Sequence, residues 1–159
     1  MATISAGLLM CRKIGNEIEF FLVHPGGPFF SKKNEGVWSI PKGLPETNEE
    51  IIQTAKREFF EETGITPHPP YHELGSIKLK SGKTVYAWSF LGAWNPEQGI
   101  SSNLCKIEWP PSSKRYIEIS EVDRAEWMPL DQAMKMIHPH QAPFLLRAKE
   151  VYQHLAKDK

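Results

Sequence analysis

GLPETNEEIIQTAKREFFEETGI, residues 43–65, brings three glutamates, Glu58, Glu61 and Glu62, into the last turns of one predicted helix. At 100° per residue the three span an arc of about 100°. Like charges at i,i+3 and i,i+4 repel, and carboxylates near a helix C-terminus oppose the macrodipole. An arrangement that works against the helix needs another cause, and a hard divalent cation is the natural one. Mg²⁺ takes oxygen ligands and suits a few carboxylates plus substrate phosphates.

The helix is predicted over residues 48–62. Thr47 is read as its N-cap, with Glu50 as capping-box partner. Gly64 stands where a left-handed residue would stop it. Ile51, Ile52, Ala55 and Phe59 form the apolar stripe. On the helical wheel Glu62 falls between Ile51 and Ala55, and Glu58 lies at the stripe's edge. Both acids therefore face the body of the domain, where unpaired charge is costly. The competing reading is a charged surface helix with ion pairs such as Arg57 to Glu61.

Working outward, residues 3–11 and 18–23 read as strands joined by a turn at Gly15-Asn16. HPGGPFF, residues 24–30, reads as a loop, and residues 37–40 as a short strand before Pro41. Residues 71–80 and 84–94 suggest a hairpin around Ser81-Gly82-Lys83. Residues 104–109 suggest a strand stopped by Pro110-Pro111, and residues 116–119 and 124–128 two more flanking a turn. Helices are expected near residues 131–137 and 143–156. The order is that of an α/β (α+β) domain.

At 159 residues the length is that of a single domain, residues 1–159. Such a chain buries roughly 70% of its unfolded surface, enough for a core. The content of 40% hydrophobic and 24% charged residues excludes a disordered or membrane-embedded class. Zero formal net charge leaves no global field for nucleic acid or an acidic membrane, so a polyanion must be met by local cations and metal. Cys11 and Cys105 make neither a disulfide framework nor a zinc site, and a reduced, cytoplasmic setting is expected. The first apolar run ends at Arg12-Lys13 and reads as a strand, not a leader. No run approaches a membrane span.

The spacing Gly43, Glu49, Arg57-Glu58, Glu61-Glu62, Gly64 with apolar Phe59 and Ile65 matches all seven fixed positions of the Nudix box, G-x5-E-x7-R-E-U-x-E-E-x-G-U. On these residues the chain resembles the Nudix hydrolase family. WSIPKG, residues 38–43, is similar to the W-x-x-P-K-G lead-in of dinucleoside polyphosphate and diphosphoinositol polyphosphate hydrolases. HPGGPFF, EWPP at residues 108–111 and QAPF at 141–144 resemble a bacterial branch described only as nucleotide pyrophosphohydrolases.

The resemblance implies a mixed β-sheet sandwiched between α-helices, with the box as a loop-helix-loop at the cleft. It implies Glu58, Glu61, Glu62 and the Gly43 carbonyl as metal ligands, for Mg²⁺ with Mn²⁺ as a substitute. Arg57 and Glu49 would brace the loop, Lys42 would meet a phosphate, and Trp38 would line the substrate. A general base is sought at one of the box glutamates or on a distant loop expected to carry both Glu118 and Glu121, with Glu121 favoured. The substrate class implied is a nucleoside diphosphate linked to another moiety, first a dinucleoside polyphosphate or a nucleoside triphosphate. The alternatives are an RNA 5′ end, a diphosphoinositol polyphosphate, or a non-catalytic nucleotide-sensing module. No membrane and no stable nucleic-acid partner are expected. His138-Pro139-His140 reads as a proline turn with two surface imidazoles, against a metal pair.

Overall fold

Strand β1 (Ile4–Ile14) runs through the middle of the sheet in a computed structural model that describes residues 3–157. Its residues 5–10 are apolar or small, and all are buried, because both faces of the strand are covered. Side chains alternate between faces at a period of two. Ala6, Leu8 and Met10 join one core cluster with Ala55 and Phe59. Leu9 and Cys11 join the other with Phe144, Leu145, Ala148 and Tyr152. The first cluster lies under helix α1 (Ile51–Thr63) and the second under α2 (Leu130–Met136) and α3 (Ala142–Lys157). The expected sandwich of a mixed sheet between helices is therefore present.

β2 (Glu17–Pro25) returns antiparallel to β1 and pairs with β8 (Val122–Pro129). On the other edge β1 runs parallel to β5 (Thr84–Leu91), which forms a hairpin with β4 (His72–Lys78). The order is β4-β5-β1-β2-β8, with β3 (Lys42–Gly43) beside β1 through Ala6↔Gly43 and Gly7↔Lys42. β6 (Leu104–Glu108) and β7 (Tyr116–Ser120) form a separate ribbon. Cys11 and Cys105 are free thiols. Among the described residues no helix is long and apolar enough to cross a membrane.

Three expectations need correction. The helix starts at Ile51, not at 48, with Glu50 as an N-cap that makes no side-chain cap bond. Thr47 does not cap it, because the chain turns through left-handed Asn48 (φ +64°) before the helix begins. Glu49 takes over the tying role: its Oε1 accepts the Glu46 N–H at 3.0 Å and the Thr54 hydroxyl at 2.6 Å. Residues 37–40 form only isolated bridges, Val23↔Ser39 and Trp38↔Ile137, and the strand falls after Pro41, at Lys42–Gly43. Glu118 lies within β7, so it does not share a loop with Glu121, which occupies the bend between β7 and β8.

The helix ends as its sequence demands. Gly64 adopts φ +77° and donates its N–H to the Phe60 carbonyl at 2.7 Å, a conformation that glycine reaches without steric cost. Phe59 anchors the helix in the core. It is fully buried, with ring centroids 5.9 Å from Phe21 and 5.3 Å from Phe90. That contact fixes the rotation of α1 about its axis, and thereby the direction in which Glu58 and Glu62 point.

Candidate active site

Glu58 and Glu62 are one turn apart on α1 and share a face. With Glu121 they form a cluster in which one carboxylate oxygen from each lies within 4.8 Å of the others. Glu62 is 9% exposed, and its Oε2 has no hydrogen-bond partner among the described residues. The Glu58 carboxylate lies against the Gly43 backbone so closely that a Cβ at Gly43 would overlap it. Glycine is required there by that approach.

Backbone bonds carry Glu121 to the helix. The Asn103 N–H donates to the Glu61 carbonyl at 2.8 Å, and the Glu121 N–H donates to the Asn103 carbonyl at 3.1 Å. Ser101 N–H holds the Thr63 carbonyl at 2.9 Å, and Ser102 Oγ accepts the Val122 N–H at 3.0 Å. On the other side the Gly26 N–H donates to the Glu121 carbonyl at 2.9 Å. Residues 101–103 are thus a strap between the end of α1 and the start of β8. No residue type in the strap announces this role, because main-chain atoms carry most of it. His24, fully buried, adds a second tie: its Nδ1 lies 2.8 Å from Asp123 Oδ1 and its Nε2 2.7 Å from the Lys33 carbonyl.

The electrostatics follow from burial. Desolvation, then the charges of Glu58 and Glu121, push the Glu62 carboxyl up to about 8, against the pull of Lys42. Desolvation also raises Glu58, against Arg57. Carboxylates held in this way are short of positive charge. Three converging carboxylates with one buried oxygen left unpartnered fit a hard divalent cation.

Arg57 organises the surroundings. Its Nε and Nη2 grip Glu49 at 2.9 and 3.0 Å, its Nη1 reaches Glu58 at 3.0 Å and Glu61 at 3.1 Å, and Nη2 also meets the Leu44 carbonyl at 3.0 Å. Those bonds occupy every N–H that a guanidinium offers. The hydrogen bonds to Arg57 hold the Glu49 carboxyl down at about 2. The i,i+4 ion pair from Arg57 to Glu61 does exist, but as one bond of a hub that also braces Glu58. Arg57→Lys keeps the charge and loses the fork. Steady-state kinetics on this variant should show turnover lower by about 10–100-fold, the cost of losing an outer-shell support.

The three helix glutamates expected as ligands thus separate in space. Glu58 and Glu62 converge with Glu121. Glu61, with 37% of its side chain exposed, sits on Arg57 outside that cluster. Glu118 is exposed on the ribbon, opposite Lys106. Lys42 is half-buried in the electrostatic field of Glu62 and Glu58. Trp38 does not line a substrate surface. It is 1% exposed, donates from Nε1 to Asn34 Oδ1 at 2.9 Å, and packs edge-on against His24. Its bulk and its indole N–H both find partners inside, so it acts as a core residue. His138-Pro139-His140 is a turn with two exposed imidazoles.

A family model described as NUDIX domain matches residues 1–148. The mRNA-decapping protein g5R of African swine fever virus (isolate Pig/Kenya/KEN-50/1950) is 32% identical over 114 residues, which cover 67% of this chain and 42% of that protein. The chain spans less than half the length of the curated relatives it matches. Among solved structures, a C. elegans Ap4A hydrolase binary complex superposes with a TM-score of 0.66 at 22% identity, over 96% of this chain and 98% of that one. The NUDIX domain of Shewanella oneidensis NrtR complexed with ADP ribose gives 0.63 at 18%, over 96% and 89%. At these identities the two structures speak for the fold.

Proposed function

Because this chain belongs to the Nudix family, we propose that it is a Mg²⁺-dependent pyrophosphohydrolase that cleaves a nucleoside diphosphate linked to another moiety, with dinucleoside polyphosphates as its first substrate class. The observation that carries this reading is the convergence of Glu58, Glu62 and Glu121 around a buried, unpartnered carboxylate oxygen. A sensing module without turnover has no use for so costly a cluster. The identity of the g5R relative adds a second observation. An mRNA cap joins two nucleosides 5′ to 5′ through a polyphosphate, so a capped RNA end and a dinucleoside polyphosphate present the same chemical unit.

Glu58 and Glu62 would hold the cation, with the Gly43 carbonyl beside Glu58 and Glu61 as the outermost carboxylate. Mg²⁺ bound there supplies charge neutralisation and Lewis acidity to the phosphoric anhydride. The chain's own groups do the rest. Glu121 accepts the proton of the attacking water as its oxygen bonds to phosphorus. The anhydride P–O bond breaks, and the leaving phosphate departs as an anion. Lys42 binds a phosphate oxygen as a compact charge. Positioning and charge stabilisation are the main demands of such a transfer.

Lys42→Ala should raise KM with little change in kcat, and the defect should shrink in high salt as screening shortens the reach of the missing charge. Equal kinetics at low salt would make Lys42 a bystander. The proposal as a whole is tested by incubating the protein with Mg²⁺ and a panel of diadenosine tetraphosphate, nucleoside triphosphates, capped RNA, ADP-ribose and a diphosphoinositol polyphosphate. Cleavage of diadenosine tetraphosphate ahead of the others is the expected result. Binding without product from any of them would leave only the sensing module.

A further inference from the structure

His24 is a buried imidazole that the proposed reaction does not use. It lies near the end of β2 with no exposed surface. Its Nδ1 is 2.8 Å from Asp123 Oδ1 and its Nε2 2.7 Å from the Lys33 carbonyl. A carboxylate and a carbonyl are both acceptors, and a neutral imidazole has one N–H to give. With one hydrogen, the second contact would set a nitrogen lone pair against an oxygen lone pair. Both contacts are hydrogen bonds only when each ring nitrogen carries a hydrogen. The ring is then an imidazolium, and the Asp123 carboxylate is the counter-charge that a buried cation needs.

A bulge delivers Asp123 to that ring. His24 pairs with Arg124 and Pro25 with Val122, so Asp123 has no partner on β2. Regular alternation would turn Asp123 and Arg124 to opposite faces. The extra residue lets both serve one side. Asp123 meets His24, and the Arg124 guanidinium lies 5.4 Å from the centre of the Trp38 ring, against which His24 packs at 5.2 Å.

Glu121 stands two residues before Asp123. Its carbonyl accepts the N–H of Gly26, two residues after His24, at 2.9 Å. A Cβ at Gly26 would overlap the Ser120 carbonyl, and one at Gly27 would crowd the Ile119 side chain of β7. The segment after His24 therefore lies directly against the bend that carries Glu121. Lys33 returns the far end of this loop to His24, with its Nζ 3.8 Å from the Phe29 ring centroid. One imidazole thus closes the 26–33 loop and pins the start of β8, and both segments bear on Glu121. The 101–103 strap holds Glu121 from the helix, and His24 holds it from the sheet.

We propose that His24, donating from both ring nitrogens, is the positioning residue that keeps Glu121 in reach of Glu58 and Glu62. The tie to Glu121 stands on the hydrogen bonds, and its kinetic consequence rests on the pyrophosphohydrolase reading with Glu121 as base. A base must sit within hydrogen-bond reach of its water. A misplacement of about 1 Å costs about a hundredfold in rate.

Three measurements test this role. Long-range ¹H–¹⁵N correlation at neutral pH, with His24 assigned by its absence from His24→Phe, should show both ring nitrogens protonated. Hydrogen exchange at the Gly26 and Glu121 amides should quicken about tenfold or more in His24→Phe, the loss of a charge-assisted hydrogen bond. The Gly64 amide at the end of α1 should not change. With Mg²⁺ and a cleaved nucleotide, His24→Phe should lower kcat by about 10–100-fold and nearly keep KM. Added to Glu121→Gln, the same substitution should cost about twofold or less, because the group it positions has gone. A merely structural role would cost the same in both backgrounds. Circular dichroism checks folding, and Asp123→Ala, at an exposed position, replaces His24→Phe if that variant does not fold. A neutral ring, unchanged exchange at both amides, or equal losses in the two backgrounds overturns the role. Two ring N–H groups and quickened exchange, with no hydrolysis of any nucleotide, keep His24 as the holder of Glu121 and remove the enzymatic reading. Hydrolysis with unchanged exchange and equal losses does the reverse.

Discussion

Glu62→Gln should lower turnover by about a thousandfold or more, since losing a metal-held charge in the transition state forfeits several kcal/mol and each factor of ten is about 1.4 kcal/mol. The same substitution should make the metal-free protein more stable at neutral pH. Glu62 is buried and its folded carboxyl is pushed up to about 8, against about 4.3 in an unfolded chain. The folded state therefore holds the proton more tightly. The stability that this contributes is fully present below about pH 4.3 and is lost as pH rises through about 8. Urea midpoints measured in EDTA should fall across that window in the wild type, reporting a loss of unfolding free energy on the order of a few kcal/mol. In Glu62→Gln the dependence should flatten, and in the wild type Mg²⁺ should restore the midpoint at high pH. A variant that turns over normally under saturating Mg²⁺ would remove Glu62 from the metal site.

Glu121→Gln should lower kcat by about 10²–10⁴-fold, the range of general base catalysis, and leave substrate affinity nearly intact. Glutamine keeps the shape but cannot take the proton. Glu118→Gln is the control. It is exposed on β7 and lies outside the carboxylate cluster, so its kinetics should match those of the wild type. A severe defect in Glu118→Gln beside a mild one in Glu121→Gln would exchange their roles. Mild defects in both would move the base onto α1, to Glu58, Glu61 or Glu62.

Local patterns made much of this fold legible. Gly64 stops α1 where a left-handed residue was expected, and the alternation in β1 matches its two covered faces. The wheel position of Glu62, between Ile51 and Ala55, foretold its burial. Failures came where a side chain had two possible uses. Thr47 and Glu50 carry the chemistry of a capping box, but Glu49 is recruited by Arg57, Thr54 and the Glu46 N–H, and the chain turns at Asn48 instead. Trp38 carries the chemistry of a stacking platform, but a core flanked by His24 and Asn34 satisfies it first.

The site was half legible for a related reason. Glu58 and Glu62 are neighbours by helical geometry alone. Glu121 joins them only because β8 pairs with β2 and because the 101–103 strap ties Glu121 to the end of α1. No local spacing encodes those long-range bonds. The separation of Glu61 from the cluster was equally hidden, since its partner Arg57 is suited to several acids at once.

Anomalous diffraction from crystals grown with Mn²⁺ locates the cation proposed for Glu58 and Glu62. One or more Mn²⁺ peaks are expected, at least one in coordination contact with the carboxylates of both Glu58 and Glu62, and none there in Glu62→Gln crystals. Peaks only elsewhere, in crystals whose protein hydrolyses nucleotide under the same Mn²⁺, would remove both residues from the metal site.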